Sequence, residues 1–127
     1  MKTLQVVAAL IWRDGKFLAC QRPAGKARAM QWEFLGGKVE PGETKEQALI
    51  RECTEELGIT VTVEEAFARV SHDYPDVQVD LTVYCCSIAR GEPAALEHNQ
   101  ICWVTPEQAR KLDFCPADRI ILNKLLK

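Results

Sequence analysis

The chain has 127 residues, 47% hydrophobic and 27% charged, with 16 Lys and Arg against 18 Asp and Glu. That length predicts one domain over residues 1–127, and the composition excludes a disordered or collagen-like chain. The longest apolar run, Val6 to Trp12, falls far short of the roughly 20 residues a membrane span needs, and no secretion signal opens the chain, so a cytoplasmic protein off the membrane is expected.

Thr3 to Trp12, rich in Val, Leu and Ile, predicts a buried strand; Arg13-Asp14-Gly15-Lys16 turns the chain and Lys16 to Arg22 predicts a second strand. Pro23 to Met30 reads as a mobile loop carrying cations. Trp32 to Leu35 is a short apolar segment ending in Gly36-Gly37. A helix starts after Thr44, whose spacing to Gln47 makes a capping box, and ends at Gly58, with Ala48, Leu49, Cys53 and Leu57 as its apolar stripe. Thr60 to Ser71 and Val77 to Ile88 predict strands, and so does Gln100 to Val104 after a polar loop. Thr105 to Gln108 opens a short helix. A last helix from about Pro116 is expected to turn Ile120, Ile121, Leu125 and Leu126 inward. The expected fold class is α/β (α+β), a mixed sheet with helices packed on it.

The six cysteines show no CxxC spacing and sit mostly in apolar runs, so they are expected as free thiols rather than zinc ligands or disulfides. A net charge of −2 argues against a nucleic-acid polymer as partner. Taken alone it also points away from any polyanionic ligand.

Six of the 18 acidic residues lie between Glu40 and Glu56. Glu52, Glu55 and Glu56, at i, i+3 and i+4, share one helix face, where carboxylates repel unless a cation stands among them. Beside a glycine-rich loop this suits a hard divalent ion and phosphate oxygens. A solvated face paired with Arg51 and Lys45 is the competing reading.

From Gly37 the chain reads G-x5-E-x7-R-E-U-x-E-E-x-G-U (U apolar), with Gly37, Glu43, Arg51, Glu52, Glu55, Glu56 and Gly58 at the fixed positions. At about 6–7% per residue, seven such matches arise by chance on the order of once in 10⁸ start positions. The chain therefore resembles the Nudix hydrolases, with the box at residues 37–59. Its QRP turn, WEF-x-GGKVEPGE and the PAD segment before the last helix resemble the MutT-type branch. The resemblance implies the Nudix fold, a mixed sheet between helices (α/β/α).

It also implies Mg²⁺, with Mn²⁺ as substitute, held by the Gly37 carbonyl, Glu52, Glu55, Glu56 and Glu97. Arg51 is expected to point away from Glu52 and to pair with Glu43 as scaffolding. Glu52 is the expected general base, with Glu97 and Glu55 as alternatives. Arg22 and Lys38 are the expected phosphate cations. Phe34, Tyr74 and Asp118 are expected at the base, an ionised Asp118 accepting from a guanine edge or a cytosine amine. Leu35 departs from the proline usual before Gly-Gly in MutT, which leaves the base preference open.

The implied reaction is hydrolysis of a nucleoside triphosphate to monophosphate and pyrophosphate, sanitising 8-oxo-dGTP or modified or cytosine nucleotides. Alternatives are cleavage of another nucleoside diphosphate derivative, such as ADP-ribose or a dinucleoside polyphosphate, or a non-catalytic nucleotide-binding module. The expected partner is a small nucleotide, and the expected assembly a monomer or homodimer.

Overall fold

Strand β1 (Thr3–Arg13) organises the molecule because its alternate residues face two different cores. Val7, Ala9 and Ile11 point to one side; Ala8 and Leu10 point to the other. The computed structural model describes residues 2–127. Asp14 and Gly15, both at positive φ, turn β1 into β2 (Lys16–Gln21). The short strands β3 (Trp32–Glu33) and β4 (Leu35–Lys38) follow the loop after Gln21.

The box helix α1 (Lys45–Leu57) is capped as its sequence dictates. The Thr44 hydroxyl accepts from the Gln47 backbone at 3.1 Å, and the Gln47 side chain accepts from the Thr44 backbone at 2.9 Å. Gly58, at φ 70°, ends it in the left-handed conformation. Two long strands follow, β5 (Thr60–Asp73) and β6 (Gln78–Arg90), then β7 (Gln100–Val104), α2 (Pro106–Ala109) and α3 (Pro116–Leu125).

The seven strands run in the order β3-β2-β1-β6-β5, with β4 beside β1 and β7 beside β2. β1 is parallel to β6 and antiparallel to β2 and β4. On one face lies α1, burying Ala48, Leu49, Cys53 and Leu57 with Val7, Ile11 and Leu35. On the other, α2 and α3 bury Ala109, Ile121 and Leu122 with Phe17, Phe34 and Phe114. This is the mixed sheet between helices that the sequence predicts.

Three expectations change in detail. The second strand stops at Gln21, so Arg22 lies in the following loop. The two long strands each run two residues past their predicted ends, and the second starts at Gln78 rather than Val77, because pairing along the β5–β6 ladder spans Thr60–Arg90 to Asp73–Gln78. On α3 the inward pair is Ile121 and Leu122; Ile120 is exposed, and Leu125 and Leu126 are half-buried near the end of the helix. All six cysteines are free. No helix among the described residues is long and apolar enough to cross a membrane.

Candidate active site

The glycines of β4 bring backbone and helix together. A Cβ on Gly36 would collide with the Val7 carbonyl on β1, and one on Gly37 would overlap the Glu52 carboxylate. Only glycine lets β4 lie between its neighbour strand and the acidic face of α1. Glu52 and Glu56 are largely buried there, with Glu55 half exposed beside them.

Arg51 ties this face to the loop before the helix. Its Nε and Nη2 donate to the Glu43 carboxylate at 2.7 and 3.0 Å, and Nη2 also donates to the Lys38 carbonyl at 3.1 Å. The expected Arg51–Glu43 pair is present. Arg51 does not point away from Glu52, however: its Nη1 donates to Glu52 at 2.7 Å and reaches Glu55 at 3.3 Å. A long side chain folded back over its own helix meets the neighbouring residue, which helical spacing alone does not foresee. The guanidinium pulls the Glu43 carboxyl down to about 2. Glu56 moves the other way: burial, then the adjoining Glu52, then the Glu33 and Glu97 charges hold its proton well above the usual carboxylate range.

A cavity of about 390 Å³ runs from this acidic face to the start of α3. Glu52, Glu56, Gly37, Lys38 and Glu97 line one end; Phe34, Tyr74, Ala117 and Asp118 line the other, with Arg22 and Glu33 also in its wall. Its size is that of a small-molecule site. Glu97 and Lys38 are exposed, whereas the Arg22 guanidinium is held by Glu33 at 2.9 Å and by the Ala27 carbonyl at 2.8 Å.

At the far end, Asp118 sits in the first turn of α3 and accepts from the Phe34 backbone N–H at 3.1 Å. Burial, then the nearby Glu33 charge, pushes its carboxyl up, which favours the neutral acid, able to donate as well as accept, over the expected ionised acceptor. The Phe34 ring itself is core, packed on Phe17 and Phe114 with centroids 5.3 and 5.6 Å apart. Tyr74 accepts from the Ala117 N–H at 3.0 Å, and Arg28 stacks over its ring at 4.0 Å. Leu35, in the slot before Gly-Gly, turns into the α1-side core.

Sequence reading missed several groups of this cavity, His98 among them. Glu33 accepts from Arg22 and lies 3.1 Å from His98; Arg28 walls the end beside Tyr74; Cys115 adjoins Glu33 and Asp118. A carboxylate enclosed by aromatics in Trp32-Glu33-Phe34 was the one available signal.

Clustered carboxylates pressed against a glycine backbone, opening on a cleft that ends at a buried aspartate, suit a hard divalent cation and the phosphate oxygens that complete its shell. The chain belongs to the NUDIX domain family, whose sequence model matches residues 6–124. It is 43% identical over 126 residues to the CTP pyrophosphohydrolase of Escherichia coli, covering 99% of this chain and 93% of that one. To the 8-oxo-dGTP diphosphatase of the same organism it is 34% identical, covering 98% of each. The crystal structure of the MutT protein from Methanosarcina mazei superposes with a TM-score of 0.87 at 25% identity, over 97% of this chain and 92% of that one.

Proposed function

We propose that this single-domain enzyme hydrolyses a nucleoside triphosphate to the monophosphate and pyrophosphate, with 8-oxo-dGTP or cytosine nucleotides as substrate and Mg²⁺ as the metal. The observation that carries this reading is the one continuous cleft joining the Glu52–Glu56 face to Asp118.

The donor set fits a hard divalent ion. Glu52 and Glu56 are buried oxygen donors, and their mutual repulsion is the imbalance a dication relieves. The Gly37 carbonyl, Glu52, Glu55, Glu56 and Glu97 would hold it, with Mn²⁺ as a substitute. When bound, a divalent ion offsets phosphate charge and makes a coordinated water more acidic.

The chain's own residues supply the rest. Arg51 fixes one oxygen of Glu52 and leaves the other to take the proton of the attacking water; Glu97 and Glu55 are the alternative bases. Glu43 holds Arg51 at its post. Lys38, and Arg22 braced by Glu33, face the outer phosphates. Asp118 pairs with a donor–acceptor edge of the base, N3 and the amine of cytosine or O6 and N1–H of guanine, while the Tyr74 and Phe34 segments wall the compartment. The names of the two relatives support both bases. The enzyme acts on free nucleotides in the cytoplasm, without nucleic-acid polymer or membrane, as a monomer or homodimer.

A panel of 8-oxo-dGTP, dGTP, CTP, 5-methyl-dCTP and ADP-ribose with Mg²⁺ tests the proposal. Monophosphate and pyrophosphate from a guanine or cytosine triphosphate are expected. Turnover of ADP-ribose alone would overturn it, and so would a Glu52→Gln variant as fast as wild type.

A further inference from the structure

His98 is buried at the middle of the cleft and has no part in the reaction as described. Its side chain is 4% exposed, directly after Glu97 in the loop that leads into β7. Nε2 lies 3.1 Å from Glu33 Oε2 and 3.7 Å from Glu56 Oε1. Nδ1 is buried and meets no hydrogen-bond partner among the described residues.

This asymmetry assigns the tautomer. A proton on Nδ1 would be a buried donor with no acceptor, whereas Nε2 faces two carboxylates, so the ring carries its proton on Nε2 and donates to Glu33. The two carboxylates belong to different elements. Glu33, on β3, gives its other oxygen to Arg22 at 2.9 Å and lies within 4.8 Å of the Asp118 carboxylate. Glu56, on α1, adjoins Glu52.

We infer that His98 is a positioning residue: its Nε2–H separates Glu33 from Glu56 and sets together the orientation of the acidic face and of the Arg22–Glu33 pair. The inference rests on the reading of Glu56 as a metal ligand. Without a donor at this point, Glu33 Oε2 loses its hydrogen bond and nothing stands between it and Glu56 Oε1, so either carboxylate can swing. Either movement disturbs metal binding and nucleotide binding at once. The same ring anchors the loop carrying Glu97, which adds to the first effect.

The test uses two amides that differ in where they place their N–H. Glutamine reaches roughly as far as Nε2, and asparagine stops near the Nδ1 position. Mn²⁺ binding without nucleotide is measured by electron paramagnetic resonance for wild type, His98→Asn, His98→Gln and Glu56→Gln. KM and kcat are measured with CTP and 8-oxo-dGTP at several Mg²⁺ concentrations. His98→Asn is expected to weaken Mn²⁺ binding and raise KM by about 10-fold each, with His98→Gln within about threefold of wild type.

The inference is overturned if His98→Asn matches wild type in both constants, or if His98→Gln is no better than His98→Asn, since packing alone would then explain the residue. Wild-type Mn²⁺ binding by Glu56→Gln would instead remove the metal-face reading, and the inference with it. Circular dichroism of each variant separates lost folding from lost positioning, and the Gln variant carries the test where the Asn variant does not fold.

Discussion

Arg51 grips Glu43 with two N–H groups, at 2.7 and 3.0 Å, while a third nitrogen reaches Glu52 at 2.7 Å. One guanidinium thus clamps the loop before α1 to the acidic face of the helix. Lysine keeps the charge but cannot serve these partners together. Arg51→Lys is expected to lower kcat by about 10- to 100-fold and to raise the Mg²⁺ needed for half-maximal rate, with an unchanged circular dichroism spectrum. A variant as active as wild type would show that the clamp is dispensable.

Gly37→Ala places a methyl group where the Glu52 carboxylate stands. Glu52 must move or β4 must lift from β1, and displacement of about 1 Å at a reacting group costs on the order of 10²-fold in rate. The variant should fold, bind nucleotide at the base end and turn over at least that much more slowly. Product release in single-turnover experiments is the measure.

Asp118 gives a pH signature in stability. Unfolded, an aspartate loses its proton near 3.8, while folded Asp118 keeps it up to about 8. Between those values the folded chain binds more protons than the unfolded one, so rising pH removes stability. An asparagine in this place would accept from the same Phe34 N–H without ever carrying a charge. The Tm of Asp118→Asn relative to wild type should therefore climb steadily between about pH 5 and about pH 8, and a constant difference would show that Asp118 ionises normally.

Thr44→Ala removes one half of the capping box at the start of α1. A loss of about 1 kcal/mol in unfolding free energy is expected, read from urea titration. The cap lies about two turns away from Arg51, so kcat should fall less than for Arg51→Lys.

What the sequence could disclose depended on distance along the chain. The α1 helix was legible because its signals are local: Thr44 to Gln47, the apolar stripe, Gly58. The acidic face was legible because helical spacing puts Glu52, Glu55 and Glu56 side by side. The direction of Arg51 was not, since it depends on a rotamer chosen among several carboxylates. His98 and Glu33 are 65 residues apart, and Phe34 and Asp118 are 84 apart, so no local pattern announces either contact. Asp118 shows a related gap: the sequence offered it as a base reader, but the upward shift of its carboxyl follows from a burial that composition does not reveal. Likewise Phe34 was expected at the base, yet its backbone N–H, not its ring, meets Asp118.

Phe34 and Leu35 are consecutive, yet one ring enters the core beneath α3 and the other side chain enters the core beneath α1. The cleft passes over this point, so the end that carries Asp118 is built on one core and the end that carries Glu52 and Glu56 on the other. On the proposed function, substitutions that reshape base choice fall on a different packing unit from those that hold the acidic face, and repacking around α3 would change the nucleobase while the other half stays as it is.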